Sequence, residues 1–413
     1  MLEDFLAPVA AQRLSARAVG VDLDAFCTRL AGLGYSHATI HTKLWTIGNL
    51  MRWMSHEHVA IVDLDAGAVD KFLRVRRRRG RACRGFRRTL LQFVEQLPPA
   101  GIVRSPEPTS DDLPGGALLA RYAGYLRHER AITEGTIAAY LSFVGAFVAE
   151  CFDGETAQTD SLRTSHVREF LLARVRSLLP KRAQFMATAL RSFLRFLFLR
   201  GETGADLSLA VPTVRRWRLS SVPRYISAQD VEQLLRACDC SSATGRRDHA
   251  ILLLLARLGV RASEVLTLEL DDLHWRAGEI IIRGKGLVRD RIPLLPDVGQ
   301  AVALYLRKDR PPASSRRVFL CQRAPHRGLG HPSTVSTIVA RALVRAGLAP
   351  ATRGAHLLRH SLATSMVRRG ASLAEIGQVL RHRSPNTTEI YAKLDFDALR
   401  DVAMPWPTTR GVR

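Results

Sequence analysis

The chain has 413 residues, of which 61 are Lys or Arg and 38 are Asp or Glu, so its formal net charge is +23. An excess of this size favours a polyanionic partner such as nucleic acid, with a merely solubilising basic surface as the alternative. Hydrophobic residues make up 46% of the chain, which excludes a disordered protein and predicts two or three domains with buried cores.

Cysteines and apolar segments indicate a cytoplasmic protein. The six cysteines are scattered and include no CxxC pair, so we expect reduced thiols and no structural metal. The beginning of the chain, MLEDFLAPVA, lacks the basic region of a secretory signal. The most apolar segment, 250–260, is short and interrupted by Arg257, so we expect no membrane span.

Two linkers rich in Pro, Gly and Ser, 106–116 and 201–223, predict three domains at 1–105, 117–205 and 224–413. The first two are similar to each other, because LGYSHATIHTKLWTIGNLMRWM matches HERAITEGTIAAYLSFVGAFVAE. Thr39 then corresponds to Thr136, and Phe72 corresponds to Phe170. These matches predict a duplicated all-α domain. Two unrelated helical bundles with the same periodicity are the alternative.

A basic run in the first segment, KFLRVRRRRGRACRGFRR, joins two helical patterns. Clustered arginines usually form a solvated face, but in so basic a chain they favour contact with phosphate groups. Such contacts add affinity and salt dependence without choosing a sequence. The predicted DNA contacts here are Arg76, Arg77, Arg78 and Arg79.

The third segment is predicted to be mainly helical with a small antiparallel β-sheet. Ser227 and Asp230 are typical of a helix N-terminus, and further helices are expected from about 247, over 332–346, over 356–369 and over 373–380. The sequence GEIIIRGKGLVRDRIPLL predicts a β-hairpin with strands at 280–282 and near Ile292. Gly370 is expected to end the 356–369 helix.

Two segments near the end of the chain carry candidate chemistry. In AHLLRHSLATSMVRRG, a helix places His356 and Arg359 on one face, although this spacing alone is common on protein surfaces. LRHRSPNTTEIYAKLD follows, in which His382 precedes Tyr391 by nine positions. Breaking a phosphodiester needs a nucleophile, cations on the non-bridging oxygens and an acid for the leaving oxygen. Residues of all three kinds are present here.

These segments together resemble the tyrosine recombinase, or phage integrase, family. LARLGVRASEVLTLELDDLHW is similar to the first box of the family, and IIIRGKGLVRDRIPL resembles its β-hairpin. The resemblance covers 225–395, and residues 117–205 are similar to the SAM-like core-binding domain that closes a clamp around DNA. The positions that match the family's catalytic residues are Arg261, Lys285, His356, Arg359, His382 and Tyr391.

The resemblance implies a role for each of these residues. Tyr391 attacks phosphorus and forms a 3′-phosphotyrosyl bond, with its proton lost either to solvent under the influence of the cations or to His356. Arg261 and Arg359 bind the non-bridging oxygens and His382 donates to the same phosphate. Lys285 protonates the 5′ leaving oxygen. Because the ester conserves bond energy, neither ATP nor a metal ion or other cofactor is expected.

Further residues are expected to support this site. Glu264 and His360 are predicted to orient the catalytic groups, while Arg283 and Arg381 are predicted DNA contacts. Arg381 occupies a position where the family commonly has glycine, so it either contacts DNA or alters how His382 approaches the phosphate.

The family implies double-stranded DNA as the partner, a homotetramer on that DNA, association with the nucleoid and a mobile-element origin. Co-encoded recombinases are a further expected partner. Two alternatives remain: a relaxing enzyme of the type IB topoisomerase kind, or an accessory DNA-binding protein that does not cut. After the tyrosine, Phe396, Leu399 and Val402 predict a short helix that packs either on its own domain or on a neighbouring protomer.

Overall fold

The computed structural model of the protein describes residues 2–17, 23–78, 85–95, 115–152, 159–214, 222–284 and 288–394. Arg79, Lys285 and the predicted C-terminal stripe of Phe396, Leu399 and Val402 lie outside these residues. The chain divides into two compact units: Met1–His58 with Arg81–Leu97 and Ser221–Arg413, and Val59–Gly80 with Pro98–Ser220. This division differs from the three predicted domains, because residues 1–58 and 81–97 group with the third segment and residues 59–80 group with the second.

The N-terminal segment is helical throughout its described part, as predicted. Its helices are α1 (Leu2–Phe5), α2 (Pro8–Arg17), α3 (Leu23–Gly32), α4 (His37–His56), α5 (Ala66–Arg78) and α6 (Phe86–Val94). A 3-10 turn, Ile61–Asp63, precedes α5. Helix α4 begins where the Ser36 hydroxyl accepts a hydrogen bond from the backbone of Thr39, which satisfies one free N–H group of the first turn.

The second segment repeats this order of elements. It contains α7 (Gly116–His128), α8 (Glu134–Cys151), a 3-10 turn at Thr159–Ser161, α9 (Thr164–Val175) and α10 (Pro180–Leu199). Paired hydroxyls stand at the start of α4 and of α8, since Ser36 bonds Thr39 at 2.9 Å and Thr133 bonds Thr136 at 3.1 Å. This agreement is what the predicted duplication requires.

The core of the second segment extends past the predicted boundary at residue 205. Leu207 and Val211 are buried in the same cluster as Phe193 and Leu197 of α10. The 3-10 turn Leu207–Ala210 lies against that helix, and Asp206 caps it by accepting from the Ser208 backbone. The first part of the predicted linker is therefore part of the folded domain.

The third segment has one large core formed by helices around a three-stranded antiparallel sheet. Its helices are α11 (Ala228–Arg236), α12 (Ala243–Arg257), α13 (Ala262–Thr267), α14 (Pro296–Lys308), α15 (Pro332–Arg345), α16 (His356–Arg368) and α17 (Leu373–Val379). The strands are β1 (Leu273–His274), β2 (Glu279–Arg283) and β3 (Arg289–Pro293), in the order β1-β2-β3. Ile280 pairs with Ile292 in the hairpin, as the sequence predicts.

Local sequence signals fix the elements that carry the site. Ser227 and Asp230 form the predicted cap of α11, and Ser372 with Glu375 forms a similar box at the start of α17. Gly370 adopts φ +82°, which ends α16 and turns the chain into α17. The last described turn, Glu389–Leu394, is a 3-10 helix rather than an α-helix.

Further findings concern cysteines and hydropathy. The described cysteines, Cys27, Cys151, Cys238, Cys240 and Cys321, form no disulfide with one another. Among the helices of the described ranges, none is both long and apolar enough to cross a bilayer.

Candidate active site

Arg261 and Glu264 form the first component of the site. Arg261 is the residue immediately before α13, and the buried carboxylate of Glu264 accepts from its backbone at 2.8 Å and from its Nη1 at 2.6 Å. Burial opposes ionisation of Glu264, but the hydrogen bonds from Arg261 and the charge of Arg381 outweigh it and hold its pKa below the usual range. Glu264 therefore fixes the direction of the Arg261 side chain.

Arg359 is fixed by backbone carbonyl groups. It lies on α16, is 4% exposed, and donates from Nη1 to the Gly259 oxygen and from Nη2 to the Leu380 oxygen. Burial and then the charges of Arg261 and Arg381 lower the pKa of Arg359 to about 10. The guanidinium thus remains charged at neutral pH. Because the positive charges of Arg261 and Arg381 are close to it, this position favours binding of an anion.

His382 follows α17 and is held by Thr388. Its Nδ1 lies 2.8 Å from the Thr388 hydroxyl, which leaves Nε2 for another partner. Burial, followed by the charges of Arg359, Arg261 and Arg381, lowers the pKa of His382 to about 4. The imidazole is therefore neutral at pH 7, and it can donate one hydrogen bond without adding to the positive charge.

Tyr391 is buried and hydrogen-bonded to His360. Its side chain is 1% exposed, within a small cluster of α16 and α17 residues, and its hydroxyl lies 2.8 Å from His360 Nδ1. Burial raises the pKa of Tyr391 to about 12, against the charge of Arg359, which acts to lower it. Burial also lowers the pKa of His360 to about 4, so His360 is neutral at pH 7 and can accept from the hydroxyl in the tautomer that leaves Nδ1 unprotonated.

The contact between His360 and Tyr391 was not foreseen in detail. The sequence assigned His360 to an orienting role and named His356 as the candidate proton acceptor. His356 is the exposed first residue of α16, and its ring centre lies 6.3 Å from that of His360. The residues are four apart on one helix, so both rings share a face, but His360 is the one that reaches the hydroxyl.

Arg381, a predicted DNA contact, is directed inward. Its side chain is 5% exposed, and its Nη2 donates to Glu264 at 3.1 Å. The prediction failed because the backbone of Arg381 has φ +55°. From that left-handed conformation the side chain extends to Glu264 instead of into solvent.

Arg76 is buried and Arg283 is engaged in ion pairs, so a contact of either residue with DNA stays a prediction. Arg76 is buried because it continues the inward face of α5 formed by Val69, Phe72 and Leu73, whereas Arg77 and Arg78 are exposed. Arg283 forms ion pairs with Asp272 at 2.9 Å and Glu269 at 2.8 Å, which tie β2 to the preceding turn. Lys285 and Arg79 remain outside the described residues.

A cleft on α15 was missed by the sequence interpretation. Ser333, Thr337, Arg341 and Arg345 are exposed and spaced by four residues, so they form one stripe along the helix. The same cleft is lined by Arg353, three residues before His356. The signal was present in the sequence as hydroxyl and arginine residues on the face opposite buried Val335, Ile338 and Val339.

Comparison with known proteins identifies the family. Residues 224–397 match the Phage integrase family, and residues 119–201 match the Phage integrase N-terminal SAM-like domain. The chain is 40% identical to "Putative integrase/recombinase y4rA" of Sinorhizobium fredii, over 94% of this chain and 95% of the relative. The chain belongs to the phage integrase family. It is a tyrosine recombinase, a class of enzyme that cleaves and rejoins DNA strands.

Other relatives of this tyrosine recombinase agree in fold. It is 29% identical to the tyrosine recombinase XerD of Listeria innocua, over 69% of this chain and 96% of the relative. A solved structure of XerH site-specific recombinase bound to palindromic difH substrate covers 68% of this chain and 83% of that chain, with TM-score 0.54 and 20% identity. A lambda integrase dimer bound to a COC′ core site covers 79% and 91%, with TM-score 0.52 and 15% identity.

Proposed function

We propose that this recombinase cuts DNA through Tyr391, with Arg261, Arg359 and His382 on the scissile phosphate and Lys285 at the leaving oxygen. The observation that carries the assignment is the position of the Tyr391 hydroxyl. It lies 2.8 Å from a neutral imidazole and within the electrostatic influence of Arg359. A nucleophile, a proton acceptor and a cation for the phosphate therefore lie close together before DNA binds.

The step balances without a cofactor. The Tyr391 oxygen forms a bond to phosphorus as the bond to the 5′ oxygen breaks, which gives a 3′-phosphotyrosyl ester and a 5′ hydroxyl. His360 accepts the phenolic proton, and Lys285 supplies the proton that the 5′ oxygen takes up. Attack by a 5′ hydroxyl of another strand reverses the same step, so rejoining needs no ATP.

The arrangement around Tyr391 is that of a resting site. A hydroxyl on a side chain that is 1% exposed cannot reach a phosphate in the DNA groove, so the turn that carries Tyr391 must shift when DNA binds. This turn is a short 3-10 helix, whose hydrogen-bond geometry is poorer than that of an α-helix. DNA binding would thereby couple substrate recognition to activation of the nucleophile.

The exposed basic residues supply the DNA-binding surface in this proposal. The α15 stripe presents hydroxyls and two arginines on a rigid helix, a combination that suits contact with phosphates and base edges. Arg77 and Arg78 add exposed positive charge at the end of α5. Arg341 and Arg345 therefore replace Arg283 and Arg381 as proposed DNA contacts.

We further propose that the enzyme acts as a tetramer on the DNA of a mobile element. The solved neighbours include a lambda integrase tetramer bound to a Holliday junction. Two of the Sinorhizobium fredii relatives carry the name integrase/recombinase and match 94% and 96% of this chain. A requirement for co-encoded recombinases stays a prediction.

Trapping the covalent intermediate tests the proposal. Nicked duplexes tiled across the DNA that flanks the gene would be incubated with the enzyme, since a nick next to the cut lets the short fragment that bears the 5′ hydroxyl leave and prevents rejoining. We expect a protein–DNA adduct with wild type and none with Tyr391→Phe. Tyr225→Phe is the matched control, because it also removes a tyrosine hydroxyl that is hydrogen-bonded to a side chain of α16, in this case Arg368. Equal adduct yields from wild type and Tyr391→Phe would contradict the proposal.

A further inference from the structure

Arg381 occupies a backbone position that suits glycine. Its φ of +55° lies in the left-handed region, which a side chain makes costly. A long charged residue stands there, and the structure buries it: the side chain is 5% exposed, and Nε makes no hydrogen bond to the described part of the chain. Neither the backbone conformation nor the buried donor favours stability, so another requirement must keep a guanidinium here.

The contacts of Arg381 coincide with those that hold the two phosphate-binding arginines. Its Nη2 donates to Glu264 Oε2, the atom that also accepts from the backbone of Arg261. Its Nη2 also lies 3.4 Å from the Gly259 oxygen, which accepts from Arg359. Its own carbonyl oxygen accepts from Arg261 Nη2 at 3.4 Å. Arg381 thus touches the anchors of both residues.

Two more contacts fix Arg381 itself. Its Nη1 donates to the carbonyl oxygens of Leu258 and Val379, each at 3.3 Å. These acceptors lie at the C-terminal ends of α12 and α17, where free carbonyl groups attract a cation. The guanidinium therefore links the ends of two helices to the carboxylate that orients Arg261.

We propose that Arg381 is a positioning residue, which acts through Glu264 and the Gly259 carbonyl to hold Arg261 and Arg359 in one arrangement ready for the phosphate. This inference rests on the proposed function of those two arginines. Arg381 itself does not touch the DNA. Its charge also repels the two guanidinium groups, and a bound phosphate relieves that repulsion.

Single-turnover cleavage of a nicked duplex at saturating enzyme tests this role. Arg381→Gly removes the guanidinium and supplies the residue that suits the backbone, so the variant is expected to fold. We expect its cleavage rate constant to fall about 10- to 100-fold, because small errors in placement have effects of that size. The dissociation constant for DNA should stay unchanged. Arg369→Gly, which removes an exposed arginine at the end of α16, is the charge-matched control.

Arg381→Lys separates positioning from mere packing. One ammonium group can reach Glu264 but cannot also span the carbonyl groups, so its rate should lie between those of wild type and Arg381→Gly. In a Glu264→Gln background, the effect of Arg381→Gly should shrink, since the shared anchor is already weakened. Wild-type cleavage by Arg381→Gly, or a lysine variant no faster than the glycine variant, would overturn the inference.

Misfolding of a variant and failure of the proposed function can each be distinguished from failure of the inference about Arg381. If Arg381→Gly did not fold, Arg381→Lys would carry the test, and a wild-type rate for that variant would contradict the role. Failure of the proposed function looks different, because wild type itself would then give no adduct at Tyr391. A normal adduct at a normal rate in Arg381→Gly would overturn only the inference about Arg381.

Discussion

The two sides of the active site differ in how firmly they are held. On the arginine side, Arg261, Arg359 and Arg381 donate to one carboxylate and to several backbone carbonyl groups at the ends of α12 and α17. On the tyrosine side, Tyr391 lies on a short 3-10 turn, and among the described residues its hydroxyl is hydrogen-bonded to His360. The arginine side is held by several acceptors, while in the proposed mechanism the tyrosine side depends on a short turn that shifts before Tyr391 reaches a phosphate.

This difference has a physical basis. Electrostatic stabilisation is effective when the donors are already oriented, because no reorganisation is then needed during the reaction. A nucleophile can instead be kept apart from its substrate until the correct DNA is bound, and burial of Tyr391 with its raised pKa does this. Substitutions on the two sides should therefore have different consequences.

The largest effect is expected from Arg359→Lys on the arginine side. A lysine keeps the charge but loses the planar fork that reaches both carbonyl groups and a phosphate. We expect single-turnover cleavage to fall about 100- to 1000-fold, the range seen when one preorganised donor is removed. Arg368→Lys, on the exposed face of the same helix, should cleave at the wild-type rate. A similar rate for both variants would show that orientation on the arginine side is unimportant.

His360→Ala should have the next largest effect and should act on the tyrosine side. Without the proton acceptor, we expect the cleavage rate to fall about 100-fold, at the lower end of the usual range for general base catalysis. His274→Gln, an exposed histidine of β1, is the control. If His356→Ala were strongly impaired and His360→Ala were not, the proton would go to the residue named from the sequence, and the resting hydrogen bond would have no catalytic meaning.

Arg77→Ala with Arg78→Ala should have a moderate effect that depends on salt. These exposed residues contribute charge and not orientation, so the double variant should bind DNA less tightly at every sequence. A plot of the logarithm of the DNA association constant against the logarithm of the salt concentration has a negative slope. In the double variant this slope should be less steep by about 2, or roughly one unit for each phosphate group that is no longer neutralised. Arg76→Met, by contrast, should leave this slope unchanged because Arg76 is buried. Equal slopes for wild type and the double variant would show that α5 is not part of the DNA-binding surface.

The smallest effect is expected in acid. The folded-state pKa of His360 is about 4, below the ordinary value of about 6.5, so between these values the unfolded chain binds a proton that the folded chain does not. Stability from this group is complete above pH 6.5 and is lost as the pH falls toward 4. The thermal midpoint of His360→Gln should therefore fall less than that of wild type between pH 7 and pH 5. An equal fall of the thermal midpoint in wild type and in His360→Gln would contradict the burial of a neutral His360.

The order of residues in the chain was enough to predict much of this site. The helix that carries His356 and Arg359, the helix that precedes His382, the hairpin and the glycine stop at Gly370 all follow from local signals and lie where the sequence placed them. Helix α14 was not predicted, although Val298, Val302 and Tyr305 are spaced for one buried face. That periodicity is itself a local signal of a helix.

Other features could not be obtained from local patterns. Arg381 was assigned to DNA from its charge. The glycine that the family commonly has at this position agrees with its φ of +55°, but only the structure shows its side chain buried against Glu264. The hydrogen bond between His360 and Tyr391 joins residues 31 positions apart, so it depends on how α16 packs against the final turn. Arg76 shows the reverse case, since helical spacing from Val69 already indicates its burial.

Mapping the covalent adduct tests the central claim most directly. The trapped complex from a nicked duplex would be digested with protease and nuclease, and the peptide that retains a nucleotide identified by mass spectrometry. We predict a 3′-phosphotyrosyl linkage on the peptide that contains Tyr391. A nucleotide attached to any other residue, or a linkage through the 5′ phosphate, would contradict this mechanism.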